Sequence, residues 1–181
     1  MRKRLLASAA ALLCLYFATA ATAQQNNEDK SKRPSPPGTA EVTLKGKTIT
    51  IDYSRPSMRG RKVMGDLVPY GKVWRTGANE ATTLTTPVDL NIGGTKVPAG
   101  KYTLWTLPSA GTWKLIINKQ TGQWGTNYDP SQDLARVDMQ KKALSAPVEQ
   151  FTMSFAKQGG DKAELNMDWE NTRVSVPISA D

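Results

Sequence analysis

Histidine is absent from all 181 residues, and the single cysteine, Cys14, lies in an apolar N-terminal run. Without histidine there is no Ser-His-Asp or Cys-His catalysis and no imidazole zinc site. Without a second cysteine there is no internal disulfide framework. No apolar run after the N-terminus is long enough to span a bilayer. A Gly-x-Ser-x-Gly elbow, a phosphate loop and a dinucleotide fingerprint are missing, as are an internal repeat and any long helical periodicity. A Ser-x-x-Lys match, Ser154 to Lys157, lies in a period-two run, where its two side chains point to opposite faces. Asp129 and Asp133 lack the spacing of a calcium loop and read as turn chemistry. No metal or cofactor is expected, and no catalytic residue is assigned.

What is present begins with Met1-Arg2-Lys3-Arg4, followed by an apolar run from Leu5 to Ala18 and by Ala21-Thr22-Ala23. This is the pattern of a secretory signal peptide over residues 1–23, which implies a periplasmic or extracellular location. Cys14 follows Leu13, where a lipoprotein signal needs a small residue, so no acyl anchor is expected. The chain carries 24 Lys and Arg against 16 Asp and Glu, a net charge of +8. Cleavage removes three basic residues and no acidic one, leaving +8 − 3 = +5. That mild excess favours a glycan or anionic envelope component as partner, with neither nucleic acid nor stable membrane insertion expected.

Residues 24–38 (QQNNEDKSKRPSPPG) are polar and proline-rich and read as a disordered linker. From residue 39 to 181 the pattern is that of one domain of alternating runs. Ile49, Ile51 and Tyr53 share a face, as do Trp113, Leu115 and Ile117, then Phe151, Met153 and Phe155. Leu165, Met167 and Trp169, then Val174, Val176 and Ile178, complete the series. The stretch 134–140 alternates as well and is expected as strand. Period two with Gly and Pro turns predicts an all-β fold, an antiparallel β-sandwich (jelly-roll-like or Ig-like) of about eight or nine strands. Trp105, Trp113 and Trp169 are expected in its core.

Residues 54–82 break the alternation and form a long ordered loop segment. Its many basic residues face only Asp66 and Glu80, while Val63, Leu67, Val68 and Trp74 argue against disorder. Arginine suits forked recognition of carboxylate or phosphate, and an adjacent aromatic can stack on a sugar ring. Arg55, Arg61, Tyr70, Trp74, Arg75, Asn79 and Glu80 are therefore the candidate ligand-binding residues. The competing reading is a clasp in which Arg75 and Arg61 pair with Glu80 and Asp66. A second loop, Gly122 to Tyr128, offers Trp124 and Tyr128 as an aromatic platform if it shares an end of the sandwich with the first.

Tyr53-Ser54-Arg55-Pro56, Gly60-Arg61 and the unbroken run from Gly65 to Thr82 resemble the domain-of-unknown-function family numbered 2911. Pro98 to Tyr102, Ile117-Asn118 and Trp124-Gly125 are similar too, so the resemblance spans about Ser35 to Ile178. It implies an exported bacterial protein with one such domain and carries over no activity. The leading expectation is an exported domain that binds a polar or anionic ligand through the Arg- and Trp-rich segment. The alternatives are a carboxylate hydrolase using Glu80 and Asp66, and a structural or protein-interaction domain pairing through Thr82 to Thr86 as an edge strand.

Overall fold

The computed structural model describes residues 29–181. The expected signal peptide, Cys14 and the first part of the expected linker (24–28) lie outside the described residues.

Nine strands form one antiparallel sheet. They are β1 (Pro37–Leu44), β2 (Lys47–Ser54), β3 (Thr83–Thr86), β4 (Leu90–Ile92), β5 (Thr95–Val97), β6 (Gly100–Leu107), β7 (Trp113–Asn118), β8 (Asp133–Lys157) and β9 (Lys162–Ala180). The spatial order is β1-β2-β3-β6-β7-β8-β9-β4-β5, open at both ends. Short 3-10 turns cover Lys30–Lys32 and Pro130–Gln132. No helix among the described residues is long and apolar enough to cross a membrane.

The sheet folds over on itself. Met153 of β8 donates its N–H to the Tyr53 hydroxyl of β2 at 2.9 Å, although β2 and β8 are not neighbours in the sheet. Between the two arms lies one core. Ile49 and Ile51 meet Leu104, Leu115 and Ile117 from one arm, and Phe151, Met153, Leu165, Met167, Trp169, Val174 and Val176 come from the other. Alternation does what it predicts: in β1, Ala40, Val42 and Leu44 are buried while Glu41 and Thr43 are exposed. Trp113 and Trp169 are core residues, as their phase requires. Trp105 is not. β6 is buried on both faces, and Trp105 lies outside the main core, with its ring 5.0 Å from that of Tyr128.

The long β8–β9 hairpin has to bend for the arms to face each other. Its ladder runs regularly to Ala143↔Thr172, then jumps to Val148↔Glu170 and Thr152↔Asp168. Glu170 takes φ +54° at this point. The first part of the 54–82 segment fills the break. Phe151 donates its N–H to Pro56 O at 2.8 Å, Met58 N–H to Glu149 O at 2.9 Å, and Met64 N–H to the Glu170 carboxylate at 3.0 Å. The Phe151 amide and the Glu149 carbonyl, which the bend would strand, are thereby satisfied.

Two expectations are corrected. The run Thr82 to Thr86 is not an edge: β3 lies between β2 and β6, with Leu84 and Thr86 buried. It offers no unpaired ladder for a partner strand. The described part of the linker, 29–38, is also not loose. It is held by polar contacts to the 54–82 segment, and β1 already begins at Pro37.

Replacing Tyr53 by Phe removes the acceptor of a buried amide. Urea unfolding should show a loss of about 1–3 kcal/mol with an unchanged m-value. A loss below about 0.5 kcal/mol would mean that this contact does not hold the arms together.

Candidate functional site

The second part of the 54–82 segment rides on the outer end of β6. Trp74 and Thr106 exchange both backbone hydrogen bonds, at 2.8 and 3.0 Å, and Leu104 donates to Thr82 O at 2.9 Å. Between these anchors, residues 75–81 turn out and back. Thr76 sits at φ +53° and Asn79 at φ +57°. For β-branched Thr76 that is a strained conformation, costing about 1–3 kcal/mol, and it persists only where the surroundings over-determine it.

They do so through hydroxyls. Thr76 is fully buried, and its Oγ1 lies 3.2 Å from Trp74 O and 3.1 Å from Thr106 Oγ1. Thr82 Oγ1 donates to Thr76 O at 2.8 Å. Gly77, between them, leaves no room for a side chain: a Cβ would stand 3.0 Å from Ser54 O. Asn79 Nδ2 donates to Ser35 O at 3.0 Å and to Ser54 Oγ at 3.3 Å.

The second loop docks on this turn, so the two loops share an end of the sandwich. Gly125 donates to Asn79 O at 2.9 Å and Ala81 to Gln123 O at 3.2 Å. Gly125 is the contact point: a Cβ there would lie 2.6 Å from Asn79 O and 3.1 Å from Arg75 Cδ. On the Arg75 side the loops enclose an open groove of about 280 Å³, lined by Val73, Trp74, Arg75, Trp105, Gly125, Thr126 and Tyr128. Arg75 spends its Nε on Gly77 O at 3.2 Å, and among the described residues no carboxylate pairs with it. Trp105, 3% exposed, has a buried indole Nε1 with no hydrogen-bond partner among the described residues. Tyr128 donates to Asp133 at 2.7 Å and accepts from Arg136 at 2.9 Å. Burial, then the Asp133 hydrogen bond, pushes its phenol up to about 12, so it is neutral at physiological pH. Trp124 stands exposed at the loop's tip.

On the other side of the turn is a smaller pocket of about 190 Å³, lined in part by Lys30, Arg33, Asp52, Ser54 and Glu80. Arg33 donates to both Glu80 oxygens, at 2.9 and 3.0 Å, and Lys30 approaches to 2.9 Å. Burial alone would raise the Glu80 carboxyl. Hydrogen bonds from Lys30, its own backbone and Arg33 outweigh it and hold the group at about 2.

The seven sequence candidates therefore separate. Arg55 is spent on β8, reaching Phe151 O and Thr152 Oγ1. Arg61 caps its own loop on Met58 O and Ser57 O. Tyr70 is exposed, with Lys141 Nζ 5.7 Å from its ring centre. Trp74 stacks on Trp169 and meets Phe151 edge-on, so its ring serves mainly the core rim. Arg75 faces the groove, while Asn79 and Glu80 face the strap of residues 29–36. The clasp pairs are not formed: Glu80 is taken by Arg33 and Lys30, not Arg75, and among the described residues Arg61 bonds only carbonyls. Sequence reasoning missed Arg33 and Lys30 because a charged, proline-rich stretch has no periodicity to place it. It missed Trp105 because a strand apolar on both faces hides which side leaves the core.

A carboxyl held at about 2 is a poor general acid, which needs a raised value. Every carboxyl with a clear shift among the described residues, namely Asp29, Glu80, Asp89 and Asp129, is shifted down. The same shift sets a pH dependence. Because the folded-state value lies below the ordinary 4.5, Glu80 contributes stability above pH 4.5 and loses it as pH falls towards 2. Glu80→Gln should lower stability by about 1 kcal/mol or less at pH 7, since the pair is half-exposed and screened. In acid the difference from wild type should vanish, as read by thermal unfolding between pH 2 and 7. A constant difference across that range would contradict the assignment.

Comparison with known proteins adds one match. A family described as a protein of unknown function, DUF2911, matches residues 35–178. No curated protein and no solved structure matches. The match covers both loops, the strained turn and every strand except the last two residues of β9. The chain belongs to the DUF2911 family of unknown function, which in this member is an all-β domain built on one folded antiparallel sheet.

Proposed function

We propose that this domain is an exported binding module that takes a carboxylate-bearing glycan at the Arg75 groove. The observation that carries this reading is Arg75 itself. Its backbone is fixed by a strained, over-determined turn, yet among the described residues only Nε finds a hydrogen-bond partner. A planar guanidinium with its terminal nitrogens uncommitted matches a planar carboxylate.

The lining favours that ligand over its rivals. Among the described residues Arg75 is the one charged side chain lining the groove, so the site suits a monoanion better than a phosphate dianion. Thr126 adds a hydroxyl, and Trp105, also in the lining, has a buried indole N–H without a partner among the described residues. Tyr128, in the lining, supplies aromatic surface for the apolar face of a sugar ring, and Trp124 stands exposed at the tip of the same loop. The groove's modest volume fits a sugar residue or a chain end. An extracytoplasmic setting, expected from the leader, is where such polymers occur.

Calorimetric titration of the protein with galacturonic acid and short oligogalacturonates tests this. Arg75→Ala should weaken binding about 10- to 100-fold, the value of a charge-assisted pair of hydrogen bonds, without lowering the melting temperature appreciably. Absence of binding to any acidic sugar, or equal binding by the variant, would overturn the reading.

A further inference from the structure

The strap of residues 29–36 has no place in the binding reaction above, and none of its side chains is buried. Its attachment is polar throughout. Asp29 caps the 3-10 turn, accepting from Ser31 N–H at 3.2 Å and from the Ser31 hydroxyl at 2.6 Å. Lys30 and Arg33 then hold Glu80. Three carbonyls follow: Pro34 O accepts from Arg59 at 3.1 Å, Ser35 O from Asn79 Nδ2 at 3.0 Å and Pro36 O from Arg55 N–H at 2.8 Å. The prolines lack N–H groups and pre-extend the chain, so the strap offers acceptors on one side without leaving donors stranded.

Two of these contacts fall on residues that also hold the groove. Asn79 grips the strap with its side chain and Gly125 with its carbonyl. Glu80 grips the strap with its carboxylate and bridges Trp124 through its backbone. Gly125 in turn backs directly onto the aliphatic part of Arg75. The route from strap to Arg75 is thus two residues deep.

From this we infer that the strap is a displaceable latch on the ligand groove, with Arg33, Lys30 and Glu80 as positioning residues that touch no ligand. Docked, it fixes Asn79 and Glu80, which fix the Gly125 wall against Arg75. Undocked, the wall and the guanidinium lose their preset geometry, and a ligand must supply the ordering itself. A latch held by partly exposed ion pairs with no buried apolar side chain opens at low cost, and salt weakens it. The inference rests on the groove being the binding site, but its mechanical part can be read without a ligand.

Amide hydrogen exchange on the full protein, paired with galacturonic acid titration, tests both levels. In Lys30→Ala/Arg33→Ala and in Glu80→Gln, exchange at Gly125 and Ala81 should speed up about two- to fivefold, while core ladder amides such as Ile51 stay unchanged. Affinity for galacturonic acid should fall about three- to tenfold, and the charge-reversed set Lys30→Glu/Arg33→Glu/Glu80→Arg should recover both readouts, which a purely steric role would not. Unchanged exchange at Gly125 overturns the latch even where wild type binds the sugar. Faster exchange with unchanged affinity also overturns it. Wild type that binds no acidic sugar overturns the groove's function instead, and the latch then stands or falls on exchange and its charge-reversal recovery.

Discussion

The bend in the β8–β9 hairpin is the constraint on which the rest of the molecule depends. Strands of 25 and 19 residues are too long to lie in one flat layer over a single core. Folding the hairpin creates the second layer and brings Met153 opposite Tyr53, but it breaks the ladder between Ala143 and Thr152. An open break in a sheet leaves amides and carbonyls without partners. Pro56 and Met58 answer that need from outside the sheet, and Arg55 adds its guanidinium to the same repair. The irregular segment is therefore first a structural part of the sandwich.

Its second half uses the order this creates. Once residues 55–64 are fixed on β8 and Trp74 is stacked on Trp169, the chain returns to β6 with little freedom left. The strained Thr76–Asn79 turn is affordable there because buried threonine hydroxyls and Ser54 surround it. The turn separates two charges that the sequence places only five residues apart. Arg75 goes to a groove with no counter-ion among the described residues, and Glu80 to a strap carrying two. Glu170, at the hairpin break, lies in the same left-handed region at φ +54°, so such conformations accompany the irregular points of the fold.

Much of the fold was legible in the sequence because alternation is a local signal. The core faces of β2, β7 and β9 follow from period two alone, and the irregularity of 54–82 was visible as its interruption. Strand order was not legible: β3 is interior rather than an edge because β6 pairs with it after a hairpin excursion through β4 and β5, which no local pattern records. In the site, residue types were read better than partners. Arg75 and Glu80 both stood out, but pairing them with each other assumed that the nearest opposite charge in sequence is nearest in space. Glu80 is met instead by residues 47 and 50 positions upstream, in a stretch whose composition argued for disorder. Composition measures what a segment can bury, and this strap is held without burying anything.

The most direct test of the account is a titration of the isotopically labelled protein with galacturonic acid, followed by nuclear magnetic resonance. The side-chain N–H signals of Arg75 and Trp105 are the sensitive ones, together with the backbone amides of Gly125 and Thr126. The account predicts saturable shifts confined to these groups and their immediate neighbours. Shifts centred on the pocket around Asp52 and Ser54, or none at saturating sugar, would contradict it.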